Sequence, residues 1–395
     1  MSGVKRIALF LDGTWNTVDD NTNVFRMKSL CAKTPEQLCY YSAGVGTQAG
    51  QRLTGGLFGI GLNEEVESAY EWLVDHYEVG AQIFIFGFSR GAFTARSLAG
   101  FISKCGLLKQ GSPVSMKQLY ARYRRGDATS ILKLAHVTDS ELLPEDRWIK
   151  TYSRSIPLWF QGVWDTVGAL GVPLPWLPNA SSKDFAFLET DLRINDSHAY
   201  HALAIDEHRK AFAPTLWTKS TPKEVAGPAP RSMDYVEQRW FVGAHANVGG
   251  GYENDLLAQI PLKWLMDKAV AHGLVFTDNV VLDGDANTCL IRDSYAEMAG
   301  GIYKLLTVNK PFYRTISAEP IDTTTNVTTT INETIDSSVF DRWRKISDYR
   351  PKNLVDWAQR RTVDPRDLNS SVSASSALTV DPAPLAVNIL PLVSG

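Results

Sequence analysis

Cysteine is scarce in this chain of 395 residues, and the few cysteines present form no recognisable metal or redox motif. No two of them have the Cys-x-x-Cys spacing. We therefore expect reduced thiols, or small core residues, in a reducing compartment. The four cysteines are Cys31, Cys39, Cys105 and Cys289.

Long apolar runs are also missing. No stretch approaches the roughly 20 apolar residues of a membrane-spanning helix. The N-terminal residues lead into only about five apolar ones, which is too short for the core of a signal peptide. We therefore expect a cytoplasmic protein, or one that is exported without a signal peptide.

Neither charge nor motif indicates a nucleic acid, a nucleotide or a metal. The formal net charge is −3 at pH 7, so no nucleic-acid partner is expected. The glycine-rich stretch 44–61 lacks Gly-x-x-x-x-Gly-Lys-Ser/Thr, which excludes a P-loop. His198 and His201 fall in or beside a stretch, 199–212, that we predict to be helical, but no further ligand cluster stands near this pair. We predict no metal and no cofactor.

The stretch 82–100 is the most informative in the chain. Residues 83–86 form a short apolar run, typical of a strand buried on both faces of a parallel sheet. The run ends in Gly87-Phe88-Ser89-Arg90-Gly91, which fits Gly-x-Ser-x-Gly, and a helical pattern follows. A serine on a tight turn between strand and helix is the context of a nucleophile elbow, where the helix N-terminus offers amide donors to an oxyanion. A chance match to so short a motif is the alternative.

Two further loops follow predicted strands. Asp165 comes just after a strand predicted over 156–163, and His245 follows a strand predicted over 239–243. Each alone has an ordinary structural interpretation, a turn or cap for the aspartate and a hydrogen-bonded structural role for the histidine. With Ser89 they stand in the chain order Ser, Asp, His of the α/β-hydrolase arrangement. The sequence therefore predicts Ser89 as nucleophile, His245 as general base and Asp165 as the carboxylate that orients it.

A polar loop that contains a glycine follows the strand predicted over 7–11. Asp12, Gly13 and Thr14 would lie where ligand groups gather, at the carboxyl end of a parallel sheet. We predict the amide of Arg90 as one oxyanion donor and an amide of the loop that holds Gly13 and Thr14 as the second. The alternative for Asp12 is an Asx-type turn that caps its own loop.

Tryptophan and proline mark the surroundings of the predicted site. Trp164 directly precedes Asp165, and Trp176 lies within the proline-rich segment 172–178. The prolines exclude a helix or a sheet interior there. Lining of an acyl pocket, contact with a lipid surface and packing against the sheet are the three alternatives for this apolar loop.

The pattern of elements predicts one α/β-hydrolase domain over residues 1–355, with a mostly parallel central sheet flanked by helices. A helix over 62–77 is predicted to start at Asn63 as its N-cap. Residues 107–150 are predicted to be a helical insertion. Residues 356–395 form a C-terminal extension, and its Ser/Ala/Pro-rich composition favours an extended or poorly ordered tail.

Six blocks of this sequence, taken together, resemble the α/β-hydrolase domain family that includes the type VI secretion phospholipase effectors. The resemblance spans about residues 6–354. The blocks are Phe10-Leu11-Asp12-Gly13-Thr14-Trp15-Asn16, Gly87-Phe88-Ser89-Arg90-Gly91-Ala92, Val163-Trp164-Asp165-Thr166-Val167-Gly168, Ala204-Ile205-Asp206-Glu207-His208-Arg209, Val248-Gly249-Gly250-Gly251-Tyr252 and Tyr349-Arg350-Pro351-Lys352-Asn353-Leu354.

The resemblance implies a lipid esterase with Ser89, Asp165 and His245 as its triad. It also implies an immunity or secretion partner and peripheral contact with a membrane. The family usually has an aspartate where this chain has Asn247, an amide that keeps hydrogen-bonding ability but loses a charge. From its compact length we also expect none of the large membrane-anchoring additions of some effectors. We therefore expect ester hydrolysis in general, and hydrolysis of a phospholipid as the more specific case.

The predicted function is hydrolysis of carboxylic esters, of lipids or phospholipids, through an acyl-enzyme on Ser89. Two alternatives stay open. One is an esterase or thioesterase acting on small soluble acyl compounds, and the other is a catalytically silent hydrolase fold used for binding.

Overall fold

The computed structural model describes most of the chain, and every structural statement below concerns that part. The described residues are 4–13, 21–44, 55–125, 128–168, 192, 196–219, 233–253, 255–282, 284–294, 310–317 and 329–374.

The fold alternates strands and helices along its first half. The strands are β1 (Arg6–Leu11), β2 (Gln37–Ser42), β3 (Gln82–Phe88), β4 (Leu107–Leu108), β5 (Ser153–Arg154), β6 (Leu158–Trp164), β7 (Asp196–Ala204), β8 (Thr218–Lys219), β9 (Val236–Phe241), β10 (Thr329–Thr330), β11 (Glu333–Ile335) and β12 (Val372–Ser373). The helices are α1 (Asn23–Leu30), α2 (Gly55–His76), α3 (Arg90–Cys105), α4 (Met116–Arg124), α5 (Ile131–Leu134), α6 (Pro144–Tyr152), α7 (His245–Gly249), α8 (Gln259–Ala271), α9 (Ser337–Lys345) and α10 (Lys352–Arg361).

An 8-stranded sheet forms the centre, in the order β12-β11-β9-β7-β6-β3-β1-β2. All its neighbouring strands pair in parallel, except that β12 runs antiparallel to β11. The register aligns the carboxyl ends, because Leu11 pairs with Gly87 and Phe88 pairs with Trp164. Side chains that follow β1, β3, β6 and β9 are therefore brought to one edge of the sheet.

Alternate residues of β1 and β3 enter two different cores, which explains the unbroken apolar runs 7–11 and 83–86. On β1, Ile7, Leu9 and Leu11 pack with apolar residues of α2 and α3. Ala8 and Phe10 face the other side and pack with apolar residues of α1 and α8. A sheet covered by helices on both faces results.

The helix predicted over 62–77 exists, but its predicted start is wrong. Helix α2 begins at Gly55, so Asn63 lies within the helix. The Asn63 side chain accepts a hydrogen bond from the hydroxyl of Tyr120 at 2.7 Å instead of capping the helix. A preceding glycine-rich segment hid the true start, since glycine has a low helix propensity.

The helix predicted over 199–212 is also wrong. Residues 196–204 form β7, between β6 and β9, and the only helical part of that range is a 3₁₀ turn at Lys210–Phe212. Because β7 is buried on both faces, it lacks the alternating pattern that marks a half-buried strand. His198 and His201 are three apart on a strand, so they point to opposite faces and cannot bind one ion together.

Residues 107–150 lie largely against α3. They contain α4, α5 and most of α6, and β4 pairs with β5 in a short two-stranded antiparallel sheet. Leu119, Tyr123 and Ile149 are buried in the same core as α3. This segment therefore covers the outer side of the helix that follows Ser89.

The C-terminal part closes the β11 edge of the sheet. Helices α9 and α10 share a core with β9 and β11, in which the rings of Phe340 and Trp357 lie 6.2 Å apart. Strand β12 pairs with β11, and Ala374 beyond it is fully buried. The predicted extension 356–395 thus begins inside α10, and its residues 356–374 are part of the folded domain. Residues 375–395 lie outside the described part.

No helix in the described ranges combines the length and the apolar character that crossing a membrane requires.

Candidate active site

Ser89 occupies a strained turn between β3 and α3. Its backbone has φ 58° and ψ −120°, a conformation that costs energy for a residue with a side chain. The two flanking glycines permit the turn. A Cβ at Gly87 would lie 2.4 Å from the carbonyl oxygen of Gly91, and a Cβ at Gly91 would lie 2.2 Å from that of Leu11. The Gly-x-Ser-x-Gly spacing is therefore required by the backbone packing at this point.

The three residues predicted from strand ends form one hydrogen-bonded chain. Ser89 Oγ lies 2.8 Å from Nε2 of His245, and Nδ1 of His245 lies 2.5 Å from Oδ2 of Asp165. Because the carboxylate can only accept, Nδ1 carries the proton, and Nε2 accepts from the Ser89 hydroxyl. Their sequence positions are 76 and 80 residues apart, so only the sheet brings them together.

The imidazole of His245 is fixed from several sides. His245 begins α7, and its backbone amide donates to Oε2 of Glu207 at 3.2 Å. Phe88 and Phe212 flank the ring, with centroids 4.7 Å and 5.0 Å from that of the imidazole. Burial lowers the pKa of His245 below its ordinary value, although the hydrogen bond to Asp165 and the charge of Asp165 oppose this effect. The ring is therefore held as a neutral acceptor facing Ser89.

The carboxylate of Asp165 is fully buried and saturated with donors. Oδ1 accepts from the Ala204 amide at 3.0 Å and from an Arg314 Nη1 at 2.6 Å. Oδ2 accepts from Arg314 Nη2 at 3.0 Å in addition to His245. Burial alone would raise the pKa of Asp165, but the charge of Arg314 and the bonds from His245 and Arg314 outweigh it and hold the pKa well below its ordinary value. Asp165 is thus an ionised group beneath the imidazole.

Two contacts hold the backbone around Asp165, which has a positive φ of 40°. The Asp165 amide donates to the carbonyl of Ala202 at 2.8 Å, and the next amide, of Thr166, donates to Nε2 of His201 at 3.0 Å. Burial and the charge of Arg96 lower the pKa of His201 to about 3, so this histidine stays neutral. His201 therefore supports the loop of Asp165. Within the described ranges, no cluster of His, Cys, Asp or Glu is suited to a metal ion.

The loop after β1 packs directly against the turn of Ser89. The carboxylate of Asp12 accepts from the Gly13 amide at 2.7 Å and from the hydroxyls of Thr22 at 2.6 Å and Tyr41 at 3.1 Å. Asp12 therefore ties its own loop to β2, through Tyr41, and to the residue before α1, Thr22. The predicted oxyanion donor Gly13 has its amide engaged with Asp12, and Thr14 lies outside the described residues. Arg90, the other predicted donor, is the first residue of α3 and directly follows Ser89.

Asn247 and Trp164 support the site through the backbone. Oδ1 of Asn247 accepts from the Ala244 amide at 3.1 Å and from the Arg292 amide at 3.2 Å, and its Nδ2 donates to Asp255 at 2.9 Å. The Trp164 carbonyl accepts from the Ser89 amide at 3.1 Å, while its ring is buried in the core beside α8. Trp176 and the segment 172–178 lie outside the described residues.

Sequence reasoning missed Arg314 and assigned no role to Glu207. Arg314 has no motif around it, so no local signal marks it. Glu207 belongs to one of the six blocks, and its carboxylate accepts from Arg209, from the His245 amide and from Ser294 at 2.9 Å. A buried acidic residue just after a strand is the signal that could have singled it out.

A parallel sheet with a serine on a strained strand-to-helix turn, bonded to a histidine from a later strand end, defines the α/β-hydrolase fold. The model of the family described as T6SS, phospholipase effector Tle1-like, catalytic domain, matches residues 5–268. The chain belongs to this family of Tle1-like phospholipase effector catalytic domains. Lipid ester hydrolysis is the chemistry of the family.

Individual relatives are more distant. The chain is 31% identical over 238 residues to the uncharacterized protein YEL023C of Saccharomyces cerevisiae, a match that covers 55% of this chain and 33% of that protein. The match thus spans about one third of the length of this curated relative. A crystal structure of an uncharacterized protein from Pseudomonas aeruginosa aligns over 69% of this chain and 46% of its own, with 17% identity and a TM-score of 0.43. The structure of the Tle1 effector bound to the VgrG spike from the type 6 secretion system aligns over 64% of this chain and 52% of its own, with 17% identity and a TM-score of 0.34.

Proposed function

We propose that this chain is a serine hydrolase that cleaves carboxylic esters of lipids, with Ser89 as nucleophile, His245 as general base and acid, and Asp165 as the group that orients His245. One observation carries the proposal: Ser89 Oγ lies 2.8 Å from Nε2 of His245, whose other nitrogen lies 2.5 Å from Asp165. The residue types, the tautomer and the chain order all match the serine-hydrolase mechanism. An idle binding fold would not require this connected arrangement.

Acylation follows from this geometry. Ser89 Oγ attacks the ester carbonyl carbon while its proton passes to Nε2 of His245, giving a tetrahedral oxyanion and an imidazolium. When the intermediate collapses, the bond to the leaving alcohol breaks and His245 returns the proton to the alcohol oxygen. The acyl group then remains as an ester on Ser89.

Deacylation repeats these steps with water. His245 takes a proton from the attacking water, the second tetrahedral intermediate collapses, and the same proton returns to Ser89 Oγ as the fatty acid leaves. Asp165 stays ionised throughout, because four N–H donors face its two oxygens.

For the oxyanion we propose the amide of Arg90, at the N-terminus of the 16-residue helix α3, as the first donor. The second would come from the loop after β1, whose backbone lies against Gly91. Use of the Gly13 amide would require its bond to Asp12 to open, and Thr14 is the other donor that we propose in this loop.

Membership of a phospholipase effector family supports a lipid or phospholipid substrate over a small soluble ester. It also supports delivery of the protein by a secretion apparatus, with a secretion or immunity partner. Contact of the segment 172–178, including Trp176, with an acyl chain or a membrane surface belongs to the same proposal.

The experiment that tests the proposal is hydrolysis of chromogenic esters with short to long acyl chains, run alongside Ser89→Ala. Turnover that rises with acyl length and disappears in Ser89→Ala supports a lipid esterase. Turnover confined to the shortest esters supports the small-ester alternative, and turnover that persists in Ser89→Ala rejects the assignment of Ser89.

A further inference from the structure

The residues 310–317 reach the proposed site from far along the chain, beyond the part matched by the family model. The amide of Phe312 donates to the carbonyl of His208 at 2.9 Å, and the Ser317 amide donates to Glu333 at 2.9 Å. Ile316, between these anchors, is fully buried. The segment is therefore docked between the end of β7 and the β11 edge of the sheet.

Arg314 is the residue that this docked segment places beneath the proposed site. Its side chain is fully buried and forms a two-pronged ion pair with Asp165, with Nη1–Oδ1 at 2.6 Å and Nη2–Oδ2 at 3.0 Å. The same two nitrogens also donate to the carbonyls of Ala204 at 2.8 Å and Phe212 at 2.6 Å. The guanidinium thus ties the carboxylate to the two segments that flank it.

The geometry assigns Arg314 as a positioning residue of the hydrolase reaction: it holds the Asp165 carboxylate in the orientation in which Oδ2 meets Nδ1 of His245. This inference rests on the proposed function of Ser89, His245 and Asp165. A planar guanidinium with two parallel N–H groups fixes both the position and the rotation of a carboxylate, whereas a lysine ammonium would act as a point charge.

The other charged and titratable groups near Asp165 do not hold its carboxylate as Arg314 does. His201 packs behind the Asp165 loop as a neutral ring, and Arg96 donates to the carbonyl of Thr215 and not to Asp165. On the far side of His245, the carboxylate of Glu207 pairs with Arg209. Arg314 is accordingly the cation that directly contacts Asp165 among the described residues.

Removal of Arg314 has two consequences, one for the geometry of the site and one for its charge. The carboxylate loses the partner that fixes its rotation, so alignment of His245 with Ser89 suffers, and a misplacement of this kind lowers kcat on the order of 10²-fold. The negative charge of Asp165 is also no longer offset, so it stabilises the imidazolium more strongly and raises the pKa of His245. The acid limb of kcat/KM then moves to higher pH, by at least about half a unit.

The test compares Arg314→Met with Arg342→Met in the full chain, using the chromogenic ester that the wild type turns over best. Arg342 is a matched control, since it is also buried and donates to two backbone carbonyls, those of Ala286 at 3.2 Å and Cys289 at 2.9 Å. We expect the kcat loss and the displaced acid limb in Arg314→Met only. A folded Arg314→Met with the wild-type kcat and pH profile would overturn the inference.

Two further variants cover a failure of Arg314→Met to fold. Arg314→Lys keeps a cation, so we expect it to fold with a smaller shift of the acid limb and a lowered kcat; a wild-type kcat there would count against the positioning role. The double variant Asp165→Asn/Arg314→Met removes the buried charge together with its partner and should fold. If both single variants and the double variant are unfolded, Arg314 serves the fold and the inference is rejected. If Ser89→Ala hydrolyses the ester as fast as the wild type, the proposed function itself is rejected instead.

Discussion

Tyr349 donates a hydrogen bond to Oδ2 of Asp206 at 3.1 Å and so joins two of the sequence blocks across 143 positions of the chain. The same oxygen accepts from the amide of Gly243 at 2.8 Å, two residues before His245. Nearby, the side chain of Asn353 donates to the carbonyl of Ile205 at 2.8 Å. The blocks 204–209 and 349–354 therefore form one buried polar contact that fixes the loop leading into the proposed site.

Tyr349→Phe tests this contact. We expect a loss of about 1–3 kcal/mol in the free energy of unfolding, because the buried carboxyl of Asp206 loses a donor and the ring volume is kept. Urea unfolding measures the change. Tyr313→Phe is the control, since Tyr313 is 38% exposed and should change the free energy of unfolding by no more than about 0.5 kcal/mol. Equal changes in the two variants would contradict the role given to Tyr349.

Asn247→Asp would restore the residue type usual at this position in the resembled family. In this chain it would place a carboxylate where Nδ2 now donates to Asp255 at 2.9 Å. Burial already raises the pKa of Asp255, so a second negative charge beside it is unfavourable. We expect Asn247→Asp to lower the free energy of unfolding by about 1–3 kcal/mol at neutral pH.

The matched test of this pair is the exchange Asn247→Asp/Asp255→Asn, which keeps one charge and one amide. We expect it to recover most of the stability lost in the single variant, measured by urea unfolding at neutral pH. A double variant that is no more stable than Asn247→Asp would show that the two residues are not coupled.

The pH dependence of hydrolysis reports the state of His245. The base is active when neutral, and burial lowers its pKa, so the neutral form persists to lower pH than for an ordinary histidine. We therefore expect the acid limb of kcat/KM to have its midpoint below about 6.5. Fluorescence over the same pH range shows whether unfolding contributes. A midpoint above about 7 with a folded protein would contradict the environment described for His245.

The central strands and the chain order of Ser89, Asp165 and His245 could be predicted because both can be read from short stretches of sequence. The apolar runs of β1 and β3 are buried on both faces, and the glycines around Ser89 belong to a short recognisable motif, even though the close contact at Gly91 is with the distant carbonyl of Leu11. Strand β7 was misassigned because its identity depends on pairing with β6 and β9. Arg314 could not be predicted, since its position follows from the docking of residues 310–317 against distant parts of the chain.

Covalent capture of the nucleophile tests the central claim most directly. A fluorophosphonate probe loses fluoride as its phosphorus bonds to an activated serine oxygen, and peptide mass spectrometry locates the adduct. We predict a single labelled residue, Ser89, with no label in Ser89→Ala and labelling slowed by on the order of 10³-fold or more in His245→Ala. A label on another residue, or undiminished labelling in Ser89→Ala, would contradict the assignment of Ser89 as nucleophile.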